Sequence, residues 1–183
     1  MPGQDHSHLV GTHVRLIPYA RGGVPRETLP VLWYLIEKSG DHEKLFTAQQ
    51  VPQTPYSWRG DPTEFMAYVS DPKRLLFIVQ DTKDEAVVGL WWLDDIVPGY
   101  RASANIWMAR RAWGKPAREA STLGIDYAFS VLGMEAIWAY TPHQAAKRHA
   151  EAVGLTLVAT LPGYILTAEG PRDVFVLRRM RNG

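Results

Sequence analysis

Between Arg74 and Arg110 the chain reads as three apolar runs, RLLFIVQDT (74–82), AVVGLWWLDDIV (86–97) and ASANIWMAR (102–110), parted only by the turns KDEA and PGYR. Runs this close together pair as an antiparallel meander, because a parallel crossover needs a dozen residues or more. Their near-continuous apolarity, in place of a clean alternation, means that both faces of the sheet are covered.

What covers them is written on either side. From Pro116 the texture changes to PAREASTLGIDYAFSVLG, which sets Ala117, Ala120, Leu123, Gly124, Tyr127, Ala128 and Val131 at spacings of three and four before stopping at Gly133. MEAIWAYT (134–141) then reads as a strand, HQAAKRHAEAVG (143–154) as a helix, and LTLVATLPGYI and DVFVLRRM as closing strands. Upstream, HLVGTHVRLIPY (8–19) has strand composition closed by Pro18 and the Gly22-Gly23 turn signal, and PRETLPVLWYLIEKSG (25–40) reads as a helix ending at Gly40. Residues 41–60 are polar, carry Pro52 and Pro55, and are expected to form a long loop. DPTEFMAYVS (61–70) opens like a short helix, with Asp61 as N-cap, Pro62 at the first helical position and Glu64 three residues past the cap. The whole is a mixed α/β sheet with helices on both faces, and 183 residues without internal repeat fit one domain, 1–183.

A hydrophobic share of 46% can offset the entropy of ordering, so the chain is globular and not disordered. A formal charge of +1 provides no global field to draw nucleic acid or an anionic membrane, so any anion site is local. The absence of cysteine removes disulfides, thiolate metal sites and a cysteine nucleophile. MPGQDHSH lacks the basic-then-apolar pattern of a signal peptide, and no apolar run approaches the ~18 residues of a membrane span, so the cytoplasm is the expected location. His6 and His8 stand in a polar terminus, and residues 1–8 are expected to be disordered with no metal bound.

A local anion site is visible at RRAWGKPARE (110–119), where a strand turns into a helix. A helix start exposes unpaired N–H groups and a partial positive charge, Gly114 lets a ligand approach the backbone, and Arg110, Arg111, Lys115 and Arg118 concentrate charge around it. Arg111-Ala112-Trp113-Gly114-Lys115-Pro116 resembles the arginine/glutamine-x-x-glycine-x-glycine/alanine loop of the GNAT N-acyltransferase superfamily. Asn105–Leu155 is similar to the ribosomal-protein N-acetyltransferase branch, from strand and loop through the alanine-rich helix ending YAFSVLG to Gly154-Leu155. The resemblance implies a mostly antiparallel, twisted sheet of about seven strands whose splayed parallel pair forms a cofactor cleft. It implies transfer of an acetyl group from acetyl-coenzyme A to a primary amine by direct attack in a ternary complex, with no metal. It places the pyrophosphate on the loop, with Arg110, Arg111, Ala112, Trp113, Gly114, Lys115, Pro116 and Ala117 binding it through amides at Ala112–Lys115 and Ala117. The pantetheine would lie along Asn105–Arg110, a main-chain N–H near Met108 on the thioester oxygen, and His143, Ala146 and Lys147 on the cofactor, with Lys147 and Arg148 near its ribose phosphate.

Two positions depart from that pattern. Pro116 removes one N–H, but as the first helical residue it gives up a donor that the helix never used. Where relatives open the second cleft helix with asparagine and carry a tyrosine acid seven residues on, this chain has His143 and Ala150. Candidates for the base are Asp94, with Asp95, at the end of an apolar strand where desolvation can raise a carboxylate pKa, and His143 beside the cleft; Tyr140 is a candidate donor. Trp91, Trp92, Trp107 and Trp138 alternate between faces, with Trp107 and Trp92 expected on the acceptor side, favouring a flat or apolar amine. The acceptor is a protein N-terminus, a lysine or a small molecule, and the protein is a monomer or homodimer. The rival readings are a non-catalytic coenzyme A binder or interaction module, and a GNAT-fold enzyme modifying a nucleic-acid base, for which the low net charge leaves little support.

Overall fold

In the computed structural model the described residues are 9–19, 28–40, 62–167 and 170–182. The expected disordered terminus 1–8, the loop 41–60, the Asp61 cap and the Glu64 side chain lie outside them. The elements run β1 (Val14–Pro18), α1 (Thr28–Ser39), α2 (Pro62–Val69), β2 (Leu75–Asp81), β3 (Val87–Val97), β4 (Arg101–Met108), a 3-10 turn (Arg110–Ala112), α3 (Lys115–Ser130), β5 (Ala136–Thr141), α4 (Gln144–Ala152), β6 (Thr156–Thr167) and β7 (Gly170–Met180). They form a seven-stranded sheet in the order β1-β2-β3-β4-β5-β7-β6. The expected meander is β2-β3-β4, and β4 with β5 is the parallel pair in an otherwise antiparallel sheet.

Strand alternation sends neighbouring tryptophans to opposite cores. Trp91 packs with Phe77, Ile125, Tyr127, Ile137 and Leu177 under α3 and α4, whereas Trp92 and Trp107 join Leu32, Ile36, Phe65 and Leu90 under α1 and α2. Burying each such apolar side chain contributes about 1.5–3 kcal/mol. α3 sits directly on the sheet because Gly124 faces Trp91: a Cβ there would stand 2.4 Å from the indole. Its N-terminal half is anchored by Glu119, whose carboxylate accepts the N–H groups of Thr12, His13 and Val14 at 2.8, 2.6 and 3.0 Å. The helix start is thereby fixed relative to β1.

Candidate active site

β4 and β5 pair over three residues only, Arg101–Ser103 with Ala136–Trp138, and then diverge. The divergence opens a cleft of about 600 Å³ that passes through the sheet, between α3 and α4 on one face and Trp92, Asn105 and Trp107 on the other. Ala109 N–H donates to Val88 O at 2.8 Å, and the register with β3 is unbroken from Met108 back to Ser103. Since alternate residues of an antiparallel ladder turn to the same neighbour, Met108, Ile106 and Ala104 face the other way. The Ala104 N–H closes the last rung with Trp138 and Met108 O is taken by the Trp113 indole, which leaves the N–H groups of Met108 and Ile106 and the carbonyls of Ile106 and Ala104 directed into the splay. The cleft is therefore bordered by a bare strand edge.

At the head of that edge, Gly114 caps α3 with φ 87° and ψ −119°, a conformation that only glycine adopts readily, and nothing lies within 4 Å of where its Cβ would be. The preceding 3-10 turn uses two of the amides expected in the cradle: Ala112 N–H donates to Ala109 O at 2.8 Å and Trp113 N–H to Arg110 O at 3.2 Å. The first helical bond runs from Arg118 N–H to Gly114 O, which leaves the amides of Gly114, Lys115 and Ala117 without a backbone acceptor among the described residues. Pro116 occupies the second helical position, one later than expected, since α3 opens at Lys115. It is still in the turn whose N–H groups have no helical partner, so the reason for tolerating it is unchanged.

The charges around this turn divide. Arg111 is tied to Asp84 in the β2–β3 turn at 3.2 Å, whereas Arg110, Lys115 and Arg118 are exposed beside the cap. Trp113 donates its Nε1–H to Met108 O at 2.8 Å, bracing the turn against β4.

On α4, Ala146, His149, Ala150 and Val153 face the cleft, with His143 as N-cap and also lining it. Lys147, expected on the cofactor, is turned away: its Nζ pairs with Glu151 Oε1 at 2.8 Å and lies 5.7 Å from the Phe175 ring centroid. The helical period is the reason, since residue 147 lies about 100° from the stripe of 146 and 150. Sequence reasoning missed a polar pair here, Ser121 on α3 and His149, whose Oγ and Nε2 are 2.8 Å apart across the cleft. Burial, reinforced by Arg118, pushes the His149 pKa down, which keeps the imidazole neutral.

The base candidates fare differently. Asp94 does not border the cleft, and its lone pairs are already used. Oδ1 accepts from Arg74 Nε at 2.6 Å; Oδ2 accepts from Tyr68 Oη at 2.6 Å, Trp92 Nε1 at 2.9 Å and Asn105 Nδ2 at 3.2 Å. A carboxylate that stands off the cleft with both oxygens already engaged has no path to an amine there, so the expectation of Asp94 as base is replaced. Burial first, and then Asp94, pushes the Tyr68 hydroxyl well above the usual tyrosine range. Asp95 is exposed on the bulge that follows, at φ 48°, with Ser103 Oγ 3.4 Å from its Oδ2. Tyr140 borders the cleft, stacked on Trp138. Burial, with Asp95 and Tyr164 adding and Arg101 opposing, raises its pKa, so its hydroxyl is a donor. Trp92 and Trp107 both line the cleft on the α1–α2 face, and the buried Nε1 of Trp107 has no partner among the described residues.

A mixed seven-stranded sheet whose parallel pair splays beside a glycine-capped helix start is the fold of the GNAT N-acetyltransferases. The spermidine N-acetyltransferase of Vibrio cholerae, solved with coenzyme A and spermine, superposes with a TM-score of 0.73 at 19% identity, over 94% of this chain and 98% of that one. A probable GNAT-family acetyltransferase from Chromobacterium violaceum gives 0.73 at 18% identity, over 95% and 86%. The Vibrio cholerae spermidine/spermine N-acetyltransferase with manganese ions gives 0.67 at 19% identity, over 93% and 94%. No protein-family model and no curated protein matches the sequence. Among the described residues no three His, Asp or Glu side chains gather as a metal site, and no helix is long and apolar enough to cross a membrane.

Proposed function

We propose that this protein is an N-acetyltransferase that moves an acetyl group from acetyl-coenzyme A to a primary amine. The observation that carries the reading is the continuity of two sets of unmet backbone groups, the amides of Gly114, Lys115 and Ala117 and the bare edge of β4, along one cleft. The first set suits a diphosphate at a helix start, with Arg110, Lys115 and Arg118 adding charge. The second suits the amides of a pantetheine arm. Acetyl-coenzyme A supplies the activated acyl carbon, and the residues do the rest. The Met108 N–H polarises the thioester oxygen, the cleft walls hold amine and carbonyl in line, and Tyr140 stands ready as a donor. Ala150 stands where relatives carry the tyrosine acid, so the thiolate departs unprotonated or takes its proton from water or from a donor such as Tyr140. Proton release from the amine falls to water or to His143 at the cleft wall. The structural neighbours that act on spermidine support a small-molecule amine as acceptor, while the Asn105–Leu155 resemblance supports a protein N-terminus.

Titration calorimetry with acetyl-coenzyme A, followed by thiol-release assays on spermidine, lysine and an N-terminal peptide, tests this. Binding with turnover on at least one acceptor is expected. Binding with no turnover on any of them would favour a coenzyme A sensor, the reading to which Ala150 lends weight.

A further inference from the structure

The orientation of one amide at the cleft wall is decided by chemistry. Asn105 sits on β4 facing α1 and α2, borders the cleft, and is partly buried. A side-chain amide has one accepting end and one donating end, and a carboxylate only accepts. Its Nδ2 must therefore be the atom directed at Asp94 Oδ2, 3.2 Å away, and the same nitrogen lies 3.4 Å from Ser103 O. Both contacts lie on one side of the amide. The opposite end, Oδ1, accepts from no described residue and is not sealed from solvent, and Asn105 itself borders the cleft.

Asp94 is itself immovable. Arg74 is bonded to its Oδ1 and is held in turn by Tyr68 O at 3.0 Å and Asp71 Oδ2 at 2.9 Å, with the guanidinium 3.7 Å over the Tyr68 ring. Tyr68 and Trp92 close on the other oxygen, and Trp92 Nε1 also reaches Tyr68 Oη at 2.9 Å. Of the donors gathered on this carboxylate, Trp92 and Asn105 border the cleft, and Asn105 is the one that also carries an acceptor atom.

Resting on the N-acetyltransferase reading, we infer that Asn105 Oδ1 accepts a hydrogen bond from the acceptor amine, and that Asp94 is the positioning residue that fixes this orientation. A neutral primary amine has two N–H bonds and one lone pair. With one N–H held by Oδ1, the lone pair is aimed across the splay at the carbonyl carbon beside the β4 edge. As it forms the C–N bond, the C–S bond breaks and its electron pair leaves with sulfur. The surplus proton on nitrogen passes to cleft water, and Asn105 gains and loses none. Because Oδ1 only accepts, the site takes groups that carry N–H and gives nothing to an ether or ester oxygen in the same place.

The test compares wild type, N105A, D94N and the double exchange D94N/N105D, with spermidine and an N-terminal peptide as amines and calorimetric acetyl-coenzyme A binding alongside. For N105A, kcat/KM for the amine falls about tenfold, the worth of one hydrogen bond, while acetyl-coenzyme A affinity holds. D94N releases the amide and falls similarly. The double exchange restores one negative charge and one outward oxygen, and it regains most of the loss. Full activity of N105A on a working wild type overturns this inference alone, as do additive losses in the double exchange or a matching loss of acetyl-coenzyme A binding. A wild type that neither binds nor turns over acetyl-coenzyme A removes the underlying reading as well.

Discussion

The turn from Trp113 to Ala117, at the mouth of the cleft, and the end of β3, behind its Trp92–Asn105 wall, are organised on opposite plans. At the turn, donors exceed acceptors: three amides have no backbone acceptor among the described residues, and space stands open above Gly114. At Asp94, four donors converge on two oxygens. Water satisfies an exposed amide at little cost, so such a set can wait for an anion. A partly buried carboxylate cannot wait, because an unmet charge out of water is costly, and it must be paired as the chain folds. The first region is built to be loaded, the second to hold its neighbours still.

The largest effect that would break this contrast is at Asp94. Replacement by Ala strands Arg74 and Tyr68 and is expected to cost about 3–5 kcal/mol, a fall of roughly 10 °C in a calorimetric Tm for a chain this size. A fall under about 2 °C would show that the donors find other partners. Next is Gly114→Ala, which forces a side chain into φ 87° and should cost about 1–3 kcal/mol. It should also weaken acetyl-coenzyme A binding by more than about tenfold in titration calorimetry. Lys147→Ala, which removes a charge already matched by Glu151, should leave that affinity unchanged, and equal losses in the two variants would erase the distinction.

The smallest effect is on pH dependence. Burial and Arg118 hold His149 below its ordinary 6.5, so the unfolded chain takes up that proton first as pH falls. Stability is full above about 6.5 and declines below it, down to the lowered folded value. H149N should flatten that part of a Tm-against-pH curve, and an unchanged slope would place the titration elsewhere.

Most of the frame was legible because it is written locally. The meander followed from three apolar runs with short turns between them, and α3 from small residues at helical spacing ending at Gly133. The Gly114 cap was legible for the same reason, with an error of one position at Pro116. The polar sites were not, since their partners are distant in sequence. Asp94 meets Tyr68 at a separation of 26 and Arg74 at 20, and Ser121 meets His149 at 28; only register and helix packing bring them together. A carboxylate at the end of an apolar strand looks like a base until its donors are seen. Lys147 was misread for a related reason, because a charge beside a cleft says nothing about which way its helix faces.

The bond from the Trp113 indole to Met108 O fastens the glycine turn to the last rung of β4. The helix start proposed to grip a headgroup and the strand edge proposed to hold its arm consequently share one frame. On the N-acetyltransferase reading, that frame is a gauge for length: a carrier whose arm spans the fixed interval would set its reactive carbon opposite Asn105, and one a few atoms shorter would stop on the wrong rung.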